Sequence, residues 1–243
     1  MPITPCPARP RVPARPGFLL LPAFLVLITL GCASAPTPRE TFIPGASVET
    51  LAAAVSLSVK TPEGSSGGTG YLLYRRPDRF RLVMLTPFGS TALEFFVRDD
   101  RVTVLFPSRE VAYVGSFQDL PAKGGLQGWR MMRWVVESDP LLLPGAPETV
   151  ERTEAGRGTT VAHYDRDGLL RRKTSGDGEA VYHDYQSAGG VPFPTIIEFT
   201  DLQGTRVKIS LDEPEVNGPV DDAALTPNLV GLTLLPLASL QGT

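Results

Sequence analysis

Arg79-Phe80-Arg81-Leu82-Val83-Met84-Leu85-Thr86-Pro87-Phe88-Gly89-Ser90-Thr91-Ala92-Leu93-Glu94-Phe95-Phe96-Val97-Arg98 runs as two arms either side of a Pro-Phe-Gly break. Successive side chains of a strand point to opposite faces, so Phe80, Leu82 and Met84 share one face and the arginines take the other. On the second arm Leu93, Phe95 and Val97 oppose Glu94 and Arg98. Pro87 presets a turn and Gly89 tolerates positive φ, which puts Phe88 at the bend. The stretch predicts two antiparallel strands, 79–85 and 91–98, apolar on one side only.

The same period continues outward. Val55, Leu57 and Val59 alternate within Ala54 to Lys60, and Val102, Val104 and Phe106 repeat the pattern. Gly64 to Gly70 reads as a flexible turn leading into a strand at Tyr71 to Tyr74. Further strands are expected at Thr159 to Asp165, Leu169 to Thr174, Glu179 to Gln186, Thr195 to Thr200 and Thr205 to Leu211. The stretches Asp165-Arg166-Asp167-Gly168, Ser175-Gly176-Asp177-Gly178 and Asp201-Leu202-Gln203-Gly204 have hairpin-turn chemistry. Two segments break the period. Ser47 to Ala54 reads as a short helix capped by Ser47, with Glu49 in its first turn. Leu120 to Glu137 spaces Leu126, Trp129, Met132, Arg133 and Val136 as one face of an amphipathic helix. Pro140, Pro144 and Pro147 then forbid long regular structure. The fold class is mainly β with some α: a strongly curved antiparallel sheet of about ten strands, with helices across its open mouth.

Before the folded part, Arg9, Arg11 and Arg15 precede an apolar run from Gly17 to Leu30, followed by Gly31 and Cys32. A basic start, an apolar stretch of about 15 residues and a small residue before the cut describe a secretory signal. Residues 1–31 are therefore expected to be a signal peptide. Cys32 stands where the bacterial lipoprotein lipobox has its acylated cysteine, a resemblance that implies diacylglycerol on its thiol and a further acyl chain, typically palmitate, on its amine. The alternative is an ordinary cleaved leader that ends near a cysteine. Residues 32–45, rich in proline and small polar residues, read as a tether. Ala33 follows the cysteine, with no aspartate there to signal inner-membrane retention; by analogy with sorting rules this favours the outer membrane.

Composition narrows the function. Net charge is -3 and the isoelectric point about 5.5, which leaves no electrostatic footprint for nucleic acid. The cysteines are Cys6, in the leader, and Cys32, so the mature domain offers no thiol for a disulfide, metal cluster or nucleophile. His163 and His183 both fall on expected strands, and no Gly-x-Ser-x-Gly elbow or P-loop lysine motif occurs. Asp165-Arg166-Asp167-Gly168 lacks the third ligand and final glutamate of a calcium loop. The expectation is a protein that is not an enzyme and needs no metal or cofactor. Arg75-Arg76 and Arg171-Arg172-Lys173 read as solvated strand ends, with phospholipid headgroups or an acidic carrier as the alternative partners.

The stretch Arg79 to Glu94 resembles the arginine-flanked strand and Pro-apolar-Gly-Ser/Thr-Thr loop of the outer-membrane lipoprotein receptor LolB family. Pro192 to Asp201 and Arg206 to Leu211 are similar to its closing hairpin. Trp134, Pro140 and Leu143-Pro144-Gly145 are similar to the segment after its central helix. The resemblance covers residues 46–213 and leaves 214–243 as a C-terminal extension. It implies an unclosed half-barrel with a helical lid over a hydrophobic cavity in the LolA/LolB-like fold. It also implies a lipid-anchored chaperone, here a monomer, on the periplasmic face of the outer membrane of a Gram-negative bacterium. Such a protein takes lipoprotein acyl chains from a LolA-like periplasmic carrier and inserts them into the membrane. Carried over by position, Phe88 with Pro87 and Gly89 forms the membrane-contact loop. Phe80, Leu82, Met84, Leu93, Phe95, Val97, Trp129, Met132, Val207 and Ile209 would line the acyl-chain cavity. From the residues alone this set serves equally as an ordinary filled core, and Phe88 could fold back into it. Two other readings stand beside transfer: the same fold binding another apolar ligand or protein partner in the envelope, and a structural envelope protein with a closed core.

Overall fold

The computed structural model describes residues 42–43, 45–62, 64–120, 145, 147–154 and 158–240. They form one antiparallel meander interrupted in the middle. Its first half comprises β1 (Thr50–Thr61), β2 (Gly64–Arg75), β3 (Arg79–Leu85), β4 (Thr91–Arg98), β5 (Arg101–Phe106) and β6 (Val111–Ser116). The second comprises β7 (Thr149–Glu154), β8 (Gly158–Tyr164), β9 (Leu170–Ser175), β10 (Gly178–Ala188), β11 (Val191–Asp201) and β12 (Arg206–Val216). A short β13 (Thr233–Pro236) follows. The strands make a single sheet in the order β13-β6-β5-β4-β3-β2-β1-β12-β11-β10-β9-β8-β7, so β13 and β7 are its two edges and the sheet is unclosed.

One face of that sheet is apolar almost throughout. Val55 and Leu57 of β1, Leu72 and Tyr74 of β2, and Phe80 and Leu82 of β3 belong to one buried core. So do Val102 and Val104 of β5, Ala162 and Tyr164 of β8, Tyr182 of β10, Ile197 and Phe199 of β11, and Val207 and Ile209 of β12. Strands from both ends of one sheet reach a common core only if the sheet bends round on itself; this is what the alternation demanded. The halves meet where β1 pairs with β12, through Val55↔Leu211, Leu57↔Ile209 and Val59↔Val207. Asn217 fastens one end of this seam. Its side-chain oxygen accepts from the Glu49 and Thr50 backbone N–H groups (2.7 and 3.3 Å), and its amide donates to the Ser47 carbonyl (3.1 Å).

The expected strands all form, and three more join them: β6, β7 and β13. The count is thirteen instead of about ten. The helix expected over Ser47 to Ala54 does not form, because Leu51 to Ala54 are paired on both sides, to β12 and to β2. The two ladders outweigh the helix propensity of three consecutive alanines. Ser47 instead donates to the Glu49 carboxylate at 2.7 Å. The flexible turn expected over Gly64 to Gly70 is the first half of β2. Close packing explains the glycines there: a Cβ on Gly67 would sit 2.6 Å from the Leu57 carbonyl oxygen, and one on Gly70 would overlap that of Val83. The amphipathic helix over Leu120 to Glu137, the element expected to form a lid, lies outside the described residues apart from Leu120.

The C-terminal extension is built into the sheet. After β12 the chain crosses the outer, polar face of β3. There Asp222 accepts from Arg75 and from Arg79 (2.8 Å), and Arg81 donates to the Ala224 carbonyl (3.0 Å). Leu229 and Leu232 then cover Phe96, Leu105 and Ala112, a second small core on the outer face. The chain reverses and β13 adds to β6 in parallel, Thr233↔Val111 to Pro236↔Val114. A single helical turn, Leu237–Ser239, follows and returns Leu237 and Leu240 to the main core. Gly115 leaves room for it: a Cβ there would lie 2.6 Å from that of Leu237. Both edges are guarded, one by a strand of four residues ending in proline, the other by Glu151, Arg152 and Glu154 on β7.

Leu237→Ala should lower the unfolding free energy by about 2–5 kcal/mol, whereas Val230→Ala, 88 % exposed, should stay within about 0.5 kcal/mol. Urea unfolding of the two variants checks this. Hydrogen bonds from the Ser116 backbone N–H and then its hydroxyl hold the Asp119 carboxyl below the usual aspartate range. A lowered folded-state value makes this contribution full above the unfolded pKa and lost as pH falls through the folded one. Ser116→Ala should therefore raise the Asp119 midpoint in a carbon-detected NMR titration.

Candidate functional site

The loop between β3 and β4 is a tight turn. The Gly89 N–H donates to the Thr86 carbonyl (2.9 Å), the Thr86 N–H to the Ser90 carbonyl (2.8 Å), and the Thr86 and Ser90 hydroxyls meet at 2.8 Å. Pro87 occupies the second place and Gly89 the fourth, at φ +82°. Phe88 is left at the tip, 97 % exposed, the most exposed large hydrophobic residue described. Backbone and hydroxyl bonds on both sides of the tip fix the turn without help from the aromatic ring.

Beneath the turn, Phe80, Leu82, Met84, Phe95, Val97, Val207 and Ile209 all face the common core and are buried. Leu93 is half-buried and packs against it. Phe80 and Phe95 meet edge to face, with centroids 6.1 Å apart. These eight come together as one apolar interior. Trp129 and Met132 lie outside the described residues.

The basic clusters resolve differently from one another. Arg75 pairs with Asp222, Arg76 with Glu49 (3.4 Å) and Arg172 with Glu179 (3.3 Å). Arg171 donates to Asp165 (2.6 Å) and stacks on the Tyr185 ring. The other Asp165 oxygen accepts from the Asp167 and Leu169 N–H groups, both at 2.9 Å, so this carboxylate is engaged in building its turn. Lys173 corrects the expectation of a solvated strand end: it is 4 % exposed. Its register neighbours are Ala162 and Ala180, both in the main core, and directly paired residues share a face. A register shift between His163 and Tyr164 turns the lysine inward, and no reading of the sequence could place that shift. Arg81 was legible as charged but not as structural. It holds Glu94 through two bonds (3.0 and 2.6 Å) and lies over the Phe96 ring.

The family model described as outer membrane lipoprotein LolB matches residues 50–213, from the first residue of β1 into β12. The chain belongs to the LolB family. Two solved structures share its fold. A DUF1329 family protein from Desulfovibrio piger superposes with a TM-score of 0.55 at 14 % identity, over 74 % of this chain and 90 % of that one. A LolA superfamily protein from Nitrosomonas europaea gives 0.50 at 11 %, over 77 % and 93 %. At these identities the likeness is one of fold. Comparison with the curated proteins finds no match. Relative to the LolB match, the strap from residue 217 to 240, with β13, is additional.

The geometry separates the two parts of this LolB-family site by experiment. Phe88→Glu should leave the thermal midpoint and circular dichroism unchanged, because nothing packs on the ring. Phe95→Ala, at 1 % exposure, should cost about 3–5 kcal/mol in denaturant unfolding.

Proposed function

We propose that this protein is a lipid-anchored receptor of the outer membrane, held on its periplasmic face through acylated Cys32. It accepts acylated lipoproteins from a LolA-like soluble carrier into its apolar interior and inserts them into the membrane. Family membership supports the role in lipoprotein binding and favours a carrier over an enzyme. The observation that carries the reading is Phe88, an aromatic ring held fully in solvent on a rigid turn directly above the apolar interior.

Burying that ring in lipid contributes about 1.5–3 kcal/mol, too little to retain a protein but enough for reversible contact by one already tethered. Acyl chains need no polar chemistry to be held, since each methylene removed from water is worth about 0.8 kcal/mol. An open sheet suits this task. Its two edges, β7 and β13, are not paired to each other, so the apolar face can spread round a guest without breaking a ladder. Transfer then requires only that the interior outbid the carrier and the bilayer outbid the interior. Phe88 and its turn would bring the apolar interior to the surface where that last exchange occurs. The protein acts as a monomer, without nucleotide, metal or nucleic acid.

The decisive experiment presents a labelled lipoprotein, bound to its periplasmic carrier, to this protein and then to liposomes. The wild type should withdraw the lipoprotein from the carrier and insert it. Phe88→Glu should withdraw it normally but slow insertion at least tenfold. Insertion unchanged by the substitution overturns the role of Phe88. Capture without release in the wild type overturns transfer and supports a binding protein of the same fold.

A further inference from the structure

Phe88 is one of three exposed apolar turn tips, and the register points all three toward the same end of the sheet. β1 and β12 pair with Lys60 opposite Arg206, and β1 and β2 with Thr61 opposite Gly64. The β1–β2 hairpin and the β11–β12 turn therefore share an end of the sheet. β2 and β3 pair with Gly70 opposite Met84, so the Phe88 turn points to that end as well, leaving the sheet about five residues short of the Lys60–Arg206 level. The opposite end carries the Arg75–Arg79 and Ala188–Val191 connections. The strap reverses beside the β5–β6 turn, where the Thr233 N–H donates to the Glu110 carbonyl at 2.8 Å.

Two of the turns on this rim copy the design of the Phe88 turn. In the β11–β12 turn the Gly204 N–H donates to the Asp201 carbonyl (3.2 Å), and the Asp201 side chain accepts from Gln203 and Thr205. Leu202 stands at its tip, 72 % exposed. In the strap reversal the Leu232 N–H donates to the Leu229 carbonyl (3.3 Å) and Gly231 lies at φ +78°. Val230 stands at that tip, 88 % exposed, while its neighbours Leu229 and Leu232 are packed down on the outer core. Phe88, Val230 and Leu202 are the three most exposed large hydrophobic residues described.

We propose that Leu202 and Val230 join Phe88 as a three-point contact with the lipid bilayer, which sets this rim of the sheet down on the membrane. The proposal rests on the membrane reading of Phe88 and extends it to two turns, one of them on the strap. Spacing selects lipid over protein. Counted across the strands alone, the Phe88 turn stands about four spacings, ~19 Å, from the Leu202 turn and ~17 Å from β13, which the Val230 turn leads into; the register adds an offset of about five residues along the strands to the first of these. Single apolar tips that far apart, divided by polar turns, make no continuous dry patch of the kind a protein partner buries. A fluid interface receives each tip separately. Charge agrees with this choice: Lys60 and Arg206 are exposed, directly opposite each other on the same rim, and form no ion pair with a described residue. Like charges so placed repel, and an anionic phosphate between them removes the repulsion. Because the tips lie along a curved rim, three of them define a plane, whereas Phe88 alone would leave the domain free to tilt.

The test places the photo-crosslinker p-benzoylphenylalanine at Phe88, Leu202, Val230 or Tyr71 in the full chain. Each is mixed with vesicles of phosphatidylethanolamine and phosphatidylglycerol, illuminated and analysed by mass spectrometry. Tyr71, 56 % exposed on β2, is the control away from the turn tips. Phospholipid adducts at 88, 202 and 230, each at least fivefold above Tyr71, are expected. Adducts at Phe88 with either Leu202 or Val230 at the Tyr71 level overturn the three-point contact and leave the Phe88 reading standing. Background levels at all four overturn both. Adducts to a second copy of the chain at Leu202 or Val230 also overturn the proposal, by making that turn a protein contact. Lys60→Glu combined with Arg206→Glu should reduce flotation with phosphatidylglycerol vesicles at least threefold and leave it unchanged with phosphatidylcholine. Equal flotation of variant and wild type on both removes the headgroup part.

Discussion

The pairing of β1 with β12 is the interaction on which everything else depends. Nearly every other neighbour in the sheet is joined by a hairpin and forms from residues close in the chain. Without the seam the protein is two separate meanders, each with one greasy face and nothing to lay it against. With it, Val55, Leu57 and Val59 lie against Leu211, Ile209 and Val207, and both apolar faces become one interior. The seam joins residues about 150 positions apart, so its loop-closure entropy is spent late and its formation is slow. Asn217 makes the register unambiguous, because a slip of one residue would withdraw its side-chain oxygen from the Glu49 and Thr50 N–H groups and turn the inward set outward.

The same constraint explains the strap. A sheet curved enough to enclose its own face has a convex side, and on β4 to β6 that side presents Phe96, Leu105 and Ala112. An apolar patch beside an unpaired edge invites pairing with another chain. The strap answers both problems with one segment. Leu229 and Leu232 cover the patch, β13 occupies the edge, and Leu237 and Leu240 lock the end into the main core. The arginines on the outer face of β2 and β3 position it. Arg75 and Arg79 converge on Asp222, and Arg81 reaches Ala224 while holding Glu94. Partly exposed ion pairs of this sort add little stability singly, but they fix where the strap crosses.

How much of this was legible follows from what carried each element. The strands 79–85 and 91–98 were readable to the residue because apolar side chains recur at every second position on the face they turn to the main core. The hairpin turns were readable because aspartate and glycine have fixed jobs in them, and Phe88 because proline and glycine bracket it. What escaped were elements defined by their neighbours. β7 is polar because it is an edge, and β13 is four residues long, stable only against β6. The glycine-rich half of β2 passed for a turn because its partners press too closely to allow side chains. Lys173 passed for a surface residue because its facing depends on the extra residue, Arg171, that its own strand carries between Leu170 and Arg172.

The position of the tether sets a last limit on how such a receptor could work. Ile43 is held to the β10–β11 turn, its N–H on the Gly190 carbonyl at 2.8 Å and its side chain over the glycine. That turn lies on the opposite rim from Phe88. Ten residues lie between Cys32 and Ile43, eleven steps along the chain, a reach of at most about 36–40 Å when fully extended. The twelve residues of β1 span about 40 Å along the strand, and a barrel-like tilt of 35–45° reduces the height to about 28–33 Å. If Cys32 carries the proposed anchor, a segment of this length has reach enough for the far rim to rest on the membrane. A slack tether would allow the rim to face the carrier instead. On the proposed anchoring, the length of the proline-rich segment and the number of apolar tips become one design question: the shorter the leash, the fewer rims can meet lipid, and the tips would fix how squarely that rim lands.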